Sequence, residues 1–264
     1  MQFDFGKNWS DFSQAALSEE MVSQAKKDFA ALFQGIELRG RSFLDVGFGQ
    51  GLSLLIAAEQ GARVVGCDIN PKCRQVIEAN HAYFPGINQS KENLVVGSIL
   101  EGDTIRVLRD NAPDGSGQYD IVHSWGVLHH TGNMKVALRN ACSLVKPGGH
   151  LVIAIYNRHW TSPAWLVIKY FYNRFPFLQK LLVTLLYPVI YLAKLAVTRQ
   201  NPRRQQRGMD FYFDVVDWVG GYPYEYGSVP EIHATLTAQG FLMKRTVSAR
   251  VPTGCNEFIF VRTS

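Results

Sequence analysis

Ser42-Phe-Leu-Asp-Val-Gly-Phe-Gly-Gln-Gly51 is the stretch from which the rest of the chain can be read. Phe43, Leu44 and Val46 form a short apolar run of the kind that makes a buried parallel strand. The run ends at Gly47, Gly49 and Gly51, residues that accept positive φ and let a ligand come close to the backbone. Leu52-Ser-Leu-Leu-Ile-Ala-Ala-Glu59 follows, with good helix formers throughout. The reading is strand, glycine turn, helix N-terminus. Backbone N–H groups and the helix dipole at such a turn suit a ligand with polar or anionic groups.

The dinucleotide fingerprint GxGxxG needs a glycine at position 52, where Leu52 stands. The next strand, Ala62-Arg-Val-Val-Gly-Cys-Asp68, ends in an acid placed to accept hydrogen bonds from ribose hydroxyls. Asp45-x-Gly-x-Gly-x-Gly followed by that acid resembles the class I S-adenosylmethionine-dependent methyltransferases. Tyr119-Asp-Ile-Val-His-Ser-Trp-Gly-Val-Leu-His-His130 resembles the strand-4 motif of the ubiquinone-pathway O-methyltransferase group. The turn Lys146-Pro-Gly-Gly149 into a fifth strand is a second mark of the family.

Apolar content of 47% and charged content of 19% describe an ordinary globular protein, and 264 residues suffice for one large core with a cap. Cys67, Cys73, Cys142 and Cys255 form no CxxC pair and have no histidine cluster beside them, so neither a disulfide framework nor a metal site is expected. Met1-Gln-Phe-Asp-Phe-Gly-Lys7 does not read as a secretory leader. A cytoplasmic setting, at most peripheral to the inner face of a membrane, is the expectation. The net charge of +5 is uneven: Asn157 to Met209 holds nine Lys/Arg and no Asp or Glu, so the rest of the chain carries the acidic balance.

Ser13 to Leu32 has helical spacing and is stopped by Gly35. Pro71 opens a helix running to about Asn80, Leu94 to Leu100 reads as strand 3, and Asp110 to Gln118 as an exposed loop. Tyr119 onward makes strand 4, Met134 to Leu144 a helix, and Leu151 to Tyr156 strand 5. Ser228-Val-Pro-Glu opens a last helix, and Phe241 to Ala249 pairs with Glu257 to Val261. The fold class that the resemblance implies is α/β, a doubly wound, mostly parallel seven-stranded sheet with a helical cap inserted between strands 5 and 6. The expected domains are an N-terminal lid (1–40), a cofactor-binding core (41–156), a basic, apolar cap (157–227), and a C-terminal helix and hairpin (228–264).

The resemblance implies S-adenosyl-L-methionine as cofactor, S-adenosyl-L-homocysteine as product, and no metal. It implies Asp45 at the methionine amino end, Gly47, Phe48, Gly49 and Gly51 beneath it, and Asp68 on the ribose. Ile69, Ser98 and Ile99 would meet the adenine, and Ser124 and Trp125 the methionine part. Ser98 stands where many family members carry an Asp. The sulfonium methyl is already electrophilic, so the protein has mainly to align an acceptor and exclude water. For a base, His129 or His130 lies beyond strand 4 at the crevice, with Tyr224 and Glu225 next for orienting substrate. Asp210, Asp214 and Asp217 among many aromatic side chains also suit a substrate pocket.

The expected activity is methylation of a small molecule at oxygen, with an apolar or lipid-linked acceptor suggested by the insert. Alternatives are S-, N- or C-methylation, methylation of a sugar or glycan precursor, and a membrane-peripheral protein that binds the cofactor without catalysis. Residues 163–207 are read either as a cap packed on the core or on a second subunit, or as a membrane-surface contact. A spanning helix is not expected, because the longest uncharged run, Leu181 to Ala193, is shorter than the ~20 residues a span needs. Arg203, Arg204 and Arg207 alone do not make a nucleic-acid site.

Overall fold

The computed structural model describes residues 3–8, 17–87, 93–202 and 210–263. Seven strands make one sheet: β1 (Ser42–Val46), β2 (Arg63–Asp68), β3 (Asn93–Val96), β4 (Tyr119–Trp125), β5 (Val145–Tyr156), β6 (Phe241–Val247) and β7 (Cys255–Arg262). Their order is β3-β2-β1-β4-β5-β7-β6. The first five strands are parallel, and β7 runs antiparallel between β5 and β6. Chain order reverses at β1, so a crevice opens at the carboxyl ends of β1 and β4. This is the doubly wound sheet expected from the sequence.

Helices cover both faces. On one, α1 (Glu19–Leu32) and α2 (Leu52–Glu59) bring Phe29, Leu54 and Leu55 onto Phe43. The other face gathers Leu44, Val122, Leu138, Leu236 and Phe258. Ser18 caps α1 by accepting the Met21 N–H; Ser13 to Ala16, read as part of that helix, lie outside the described residues. Pro71 precedes α3 (Lys72–Asn80).

Three details depart from the sequence reading. β3 stops at Val96, where the Gly97 N–H makes the last ladder bond to the Asp68 carbonyl of β2, so Ser98 and Ile99 lie just beyond the strand. α4 (Gly102–Asp110), which the sequence reading does not assign, fills the space before the polar loop. β5 already pairs at Val145: Tyr119 faces Val145 while Ile121 faces His150, so the Lys146–Gly149 turn bulges from the strand.

After α5 (Met134–Ser143) and β5, the insert forms α6 (Ser162–Arg174), α7 (Pro176–Thr198) and α8 (Phe211–Gly220). α7 is longer than the uncharged run read from the sequence. Pro176 sits in the first turn, where its missing N–H is not needed, and Pro188 lies inside the helix without ending it. The result is one helix of 23 residues, long and apolar enough to cross a membrane by length and composition. One of its faces packs with α6 and α8 around Tyr172, Val183, Phe211, Val215 and Val219. α9 (Val229–Thr237), closed by a Ser228–Glu231 capping box, leads into the final hairpin.

Candidate functional site

A single cavity of about 1000 Å³ runs from the glycine turn to the cap. At its floor, Gly47 has φ +76°, its N–H donates to the Cys67 carbonyl at 2.6 Å, and an added Cβ would lie 2.4 Å from the Val127 methyls. Only glycine fits there. Asp45 and His123 are paired across β1 and β4, and their side chains meet at 2.7 Å (Asp45 Oδ1 to His123 Nδ1) in a buried pair that also lines the cavity. His123 lies inside the Tyr119–His130 motif, and the sequence reading gives it no role. Strand register is the signal that joins it to Asp45.

Asp68 ends β2. Its Oδ2 accepts the Gly49 N–H at 3.0 Å and its Oδ1 accepts the Asn70 N–H at 2.8 Å. Burial pushes its carboxyl up, against those two hydrogen bonds and a third from the Cys73 thiol, and the lone pair that is left can take a hydroxyl donor. Ile69 beside it is 51% exposed and faces the cavity, as do Ser98 and Ile99. The Ser98 hydroxyl already accepts the Leu100 N–H at 3.2 Å, which leaves its proton to donate. A glycine floor, an acid at the strand end and an uncovered isoleucine beside it are the kinds of group that S-adenosylmethionine calls for. Asp45, Gly47, Phe48, Gly49, Asp68, Ile69, Ser98, Ile99 and Trp125 all line the cavity.

Two of the residues assigned to the cofactor do not line it. Gly51 has φ +80° at the start of α2, and its missing Cβ makes room for Ile77 of α3. Ser124 is buried and donates to the Val46 carbonyl at 2.9 Å, tying β4 to β1. Both hold the frame of the turn.

At the cap end the cavity is walled by His130, Tyr156, Trp165, Ile190, Asp214, Asp217 and Trp218. His130 Nδ1 lies 2.6 Å from the Pro223 carbonyl and donates to it, so Nε2 carries the lone pair. Burial, reinforced by Lys169, pushes this imidazole down to about 3. His129 is fully buried outside the cavity, its Nδ1 accepting the Tyr156 N–H at 3.3 Å, and burial holds its imidazole well below the usual histidine range. Tyr224 and Glu225 line a separate, smaller cavity, and Glu225 Oε2 accepts the Met134 N–H at 2.8 Å at the start of α5. Of the four residues named for catalysis from sequence, the cavity admits His130; the other three are packed into the scaffold around it. The reason is local: the two histidine rings pack together, 4.5 Å apart, with His129 the deeper of the two against Tyr156, and Glu225 is spent as a helix cap.

The acceptor end holds two groups that carry most of its electrostatics. Asp217, on α8, accepts from Asn8 Nδ2 at 2.7 Å through Oδ1, while Oδ2 has no hydrogen bond among the described residues. Burial, with Asp214 nearby, pushes its carboxyl up to about 8. Lys169, on α6, has no solvent exposure; Nζ donates to the Trp218 carbonyl and lies 4.5 Å from the Trp218 ring and 4.8 Å from that of Tyr224. Burial pushes its ammonium down to about 7. Asp214 is held by Lys194 at 3.0 Å, and Asp210 caps α8 by accepting from the Tyr212 and Phe213 N–H groups. Nothing in the pattern around Lys169 marks it as buried.

A strap crosses the cavity. Phe5–Asn8 form one helical turn. Asp4 accepts from Asn70 Nδ2 at 2.7 Å and meets Lys72 Nζ at 3.3 Å, while Phe3 N–H donates to the Tyr222 carbonyl at 2.9 Å. It therefore touches the cofactor end at Asn70 and the cap at Asp217.

A family model described as a methyltransferase domain matches residues 18–200. The ubiquinone biosynthesis O-methyltransferase of Vibrio parahaemolyticus is 30% identical over 131 residues, 50% of each chain. That of Coxiella burnetii is 28% identical over 145 residues, 54% of this chain and 56% of the relative. The chain thus matches about half the length of these curated relatives. Among solved structures, an O-methyltransferase family protein from Burkholderia thailandensis has a TM-score of 0.57 at 17% identity, covering 97% of this chain and 60% of that one. Magnesium protoporphyrin IX methyltransferase from Synechocystis, with bound SAH, has a TM-score of 0.54 at 17% identity, covering 92% and 83%. At such identities these two show the fold.

Proposed function

Because the chain belongs to the class I S-adenosylmethionine-dependent methyltransferase family, we propose that it methylates a hydroxyl of a small, apolar acceptor and that Asp217 takes the proton released. The observation that carries this is the single cavity joining the glycine turn to a carboxyl in the cap. Oxygen as the methylated atom is supported by the relatives, each a ubiquinone biosynthesis O-methyltransferase. An apolar acceptor is supported by Trp165, Ile190, Val215 and Trp218 in the wall of the acceptor end.

When bound, S-adenosylmethionine supplies an electrophilic sulfonium methyl, and transfer to a hydroxyl releases one proton. Asp45 and Gly47 hold the methionine end, Asp68 the ribose, and Ile69 with Ser98 the adenine. The strap and α1 act as the lid, and the cap helices exclude water from the acceptor. Asp217 Oδ2 accepts the hydroxyl proton; a carboxyl pushed up to about 8 has the basicity a general base needs near neutral pH. His130, with its basicity suppressed and Nδ1 donating to the Pro223 carbonyl, takes no part in the proton transfer and walls the acceptor end.

The test is transfer of labelled methyl from S-adenosylmethionine into a cell extract split into lipid, polar small-molecule, protein and RNA fractions. Label in the lipid fraction, recovered as a methyl ether, is the expected result. Label confined to the polar fraction as a methylamine, thioether or sugar ether replaces the acceptor class. Tight cofactor binding with no label in any fraction favours the non-catalytic alternative. On the acceptor so found, Asp217→Asn should lower kcat on the order of 100-fold, with little change in KM, and remove the rise in rate that wild type shows toward pH 8. An unchanged pH profile assigns the proton to another group.

A further inference from the structure

The insert leaves one long apolar face uncovered. On α7, Phe177, Leu181, Leu185, Val189 and Leu192 are exposed, Phe177 by 77% and Leu192 by 62%. Their spacing of four, four, four and three residues places them in one stripe along the helix. Val167, Tyr170 and Phe171 on α6 widen the apolar surface. The opposite face of α7 is spoken for: Leu182, Val183, Leu186 and Tyr187 pack into the cap, and Ile190 and Ala193 line the cavity. A folded protein seldom leaves so large an apolar face in water without a partner for it.

Charge selects the partner. From Asn157 to Met209 there is no Asp or Glu. Arg174 at the end of α6, Lys180 in the first turns of α7 and Arg199 just past its end are exposed around the stripe. Lys194, in contrast, is turned inward to Asp214. A second copy of the chain would set these cations against each other. Crossing a bilayer would strip α7 from α6 and α8 and open the cavity wall. A surface of anionic lipid meets both features, with the stripe in the acyl boundary and the cations at the headgroups. Trp160, 84% exposed at the entrance to α6, is the residue type that settles at such an interface.

We propose that α6 and α7 form a docking surface for an anionic lipid bilayer, on which the folded protein lies with its cap toward the membrane. Ile190 and Ala193 line the cavity from the same helix whose outer stripe would meet the lipid. An apolar acceptor dissolved in the bilayer would then reach Asp217 without crossing water. That route rests on the proposed acceptor class; the docking itself does not.

The experiment is vesicle flotation of the full chain, saturated with S-adenosylmethionine. The vesicles are phosphatidylcholine, with or without about a third of phosphatidylglycerol. Wild type should float with the anionic vesicles and at least tenfold less with phosphatidylcholine alone. Leu181→Ser/Leu185→Ser/Leu192→Ser should abolish flotation, and Lys180→Gln/Arg199→Gln should weaken it and remove most of its dependence on salt. None of these side chains lines the cavity, so cofactor affinity measured by calorimetry should stay at the wild-type value and confirms that the variants fold. Equal flotation of wild type and the triple-serine variant overturns the proposal. So does a concentration-dependent dimer, with no flotation, that the triple-serine change abolishes, since it gives the stripe to a second copy. Resistance of membrane-bound protein to alkaline carbonate also overturns it, since that marks a spanning helix. No acceptor is needed, so failure here leaves the methyl-transfer assay to be judged separately.

Discussion

The two ends of the cavity are built by opposite rules. At the cofactor end, the acids are satisfied by the chain itself: both Asp68 oxygens take backbone N–H groups, and Asp45 meets His123 across adjacent strands, although Gln50 Oε1 is buried there without a hydrogen bond among the described residues. At the cap end, Asp217 keeps an oxygen without a hydrogen bond among the described residues and Lys169 is buried against aromatic rings. The first end is a frame that leaves a defined shape for one ligand. The second stores electrostatic free energy that ligand binding can draw on. Substitutions at the two ends should therefore fail differently, the first in cofactor affinity, the second in pH dependence.

The largest effect is expected at Gly47. Alanine there must adopt φ +76° and place its Cβ 2.4 Å from the Val127 methyls. Left-handed backbone and steric displacement together should cost about 3 kcal/mol, roughly a 100-fold loss of S-adenosylmethionine affinity by calorimetry. Adding Val127→Ala should recover the steric share and leave the backbone share. Full recovery, or no loss in Gly47→Ala, would remove the distinction between the frame and the cap.

Asp217 makes the second break, through stability. Its carboxyl is raised from 3.8 to about 8 in the folded protein, so between those values the folded state holds a proton that the unfolded state has released. The stability this adds is full below pH 4 and is lost as pH rises through 8. Asparagine has no such dependence. Asp217→Asn should thus gain stability relative to wild type between pH 5 and 8.5, read as a difference in urea midpoints. Lys169→Met sharpens the point with the opposite slope. The ammonium is lowered from 10.5 to about 7, so its penalty is full below 7 and fades toward 10.5. Any advantage of methionine should shrink over that range. Parallel slopes in the two variants would mean that burial is not what shifts these groups.

The same contrast explains what could be read in the sequence. The strand, turn and helix around Gly47 are local, and their chemistry is written in consecutive residues. Asp68 and Ile69 follow because a parallel strand must end at the crevice. The joining of seven strands into one mostly parallel sheet was implied by the family resemblance, and their order is read from the structure. His123 escaped because its partner lies 78 residues away in sequence, where only register brings them together. Lys169 escaped because a lysine on an amphipathic helix is ordinarily solvated. The full length of α7 escaped because Lys180 and Lys194 interrupt the uncharged run, whereas one cation reaches solvent near the helix start and the other pairs with Asp214. His129 and Glu225 looked catalytic by residue type. Their hydrogen bonds to the Tyr156 and Met134 N–H groups show how scaffold uses the same side chains.

The strap offers the smallest and most specific test, because one short segment touches both ends. Asp4 holds Asn70 and Lys72 beside the cofactor end; Asn8 donates to Asp217 and so favours its ionised form. Asp4→Asn weakens an exposed ion pair and should speed S-adenosylhomocysteine release only about two- to fivefold in stopped flow. It should leave the pH profile of methyl transfer in place. Asn8→Ala removes one hydrogen bond from a half-buried carboxylate, a change of about 1 kcal/mol, and should move the pH profile up by several tenths of a unit. It should leave the release rate unchanged. If either variant moves both readouts together, the strap is a lid that opens as one piece, and the two ends are coupled through it. If each moves its own, the cavity is two sites that share a wall, with Asp4 serving one and Asn8 the other.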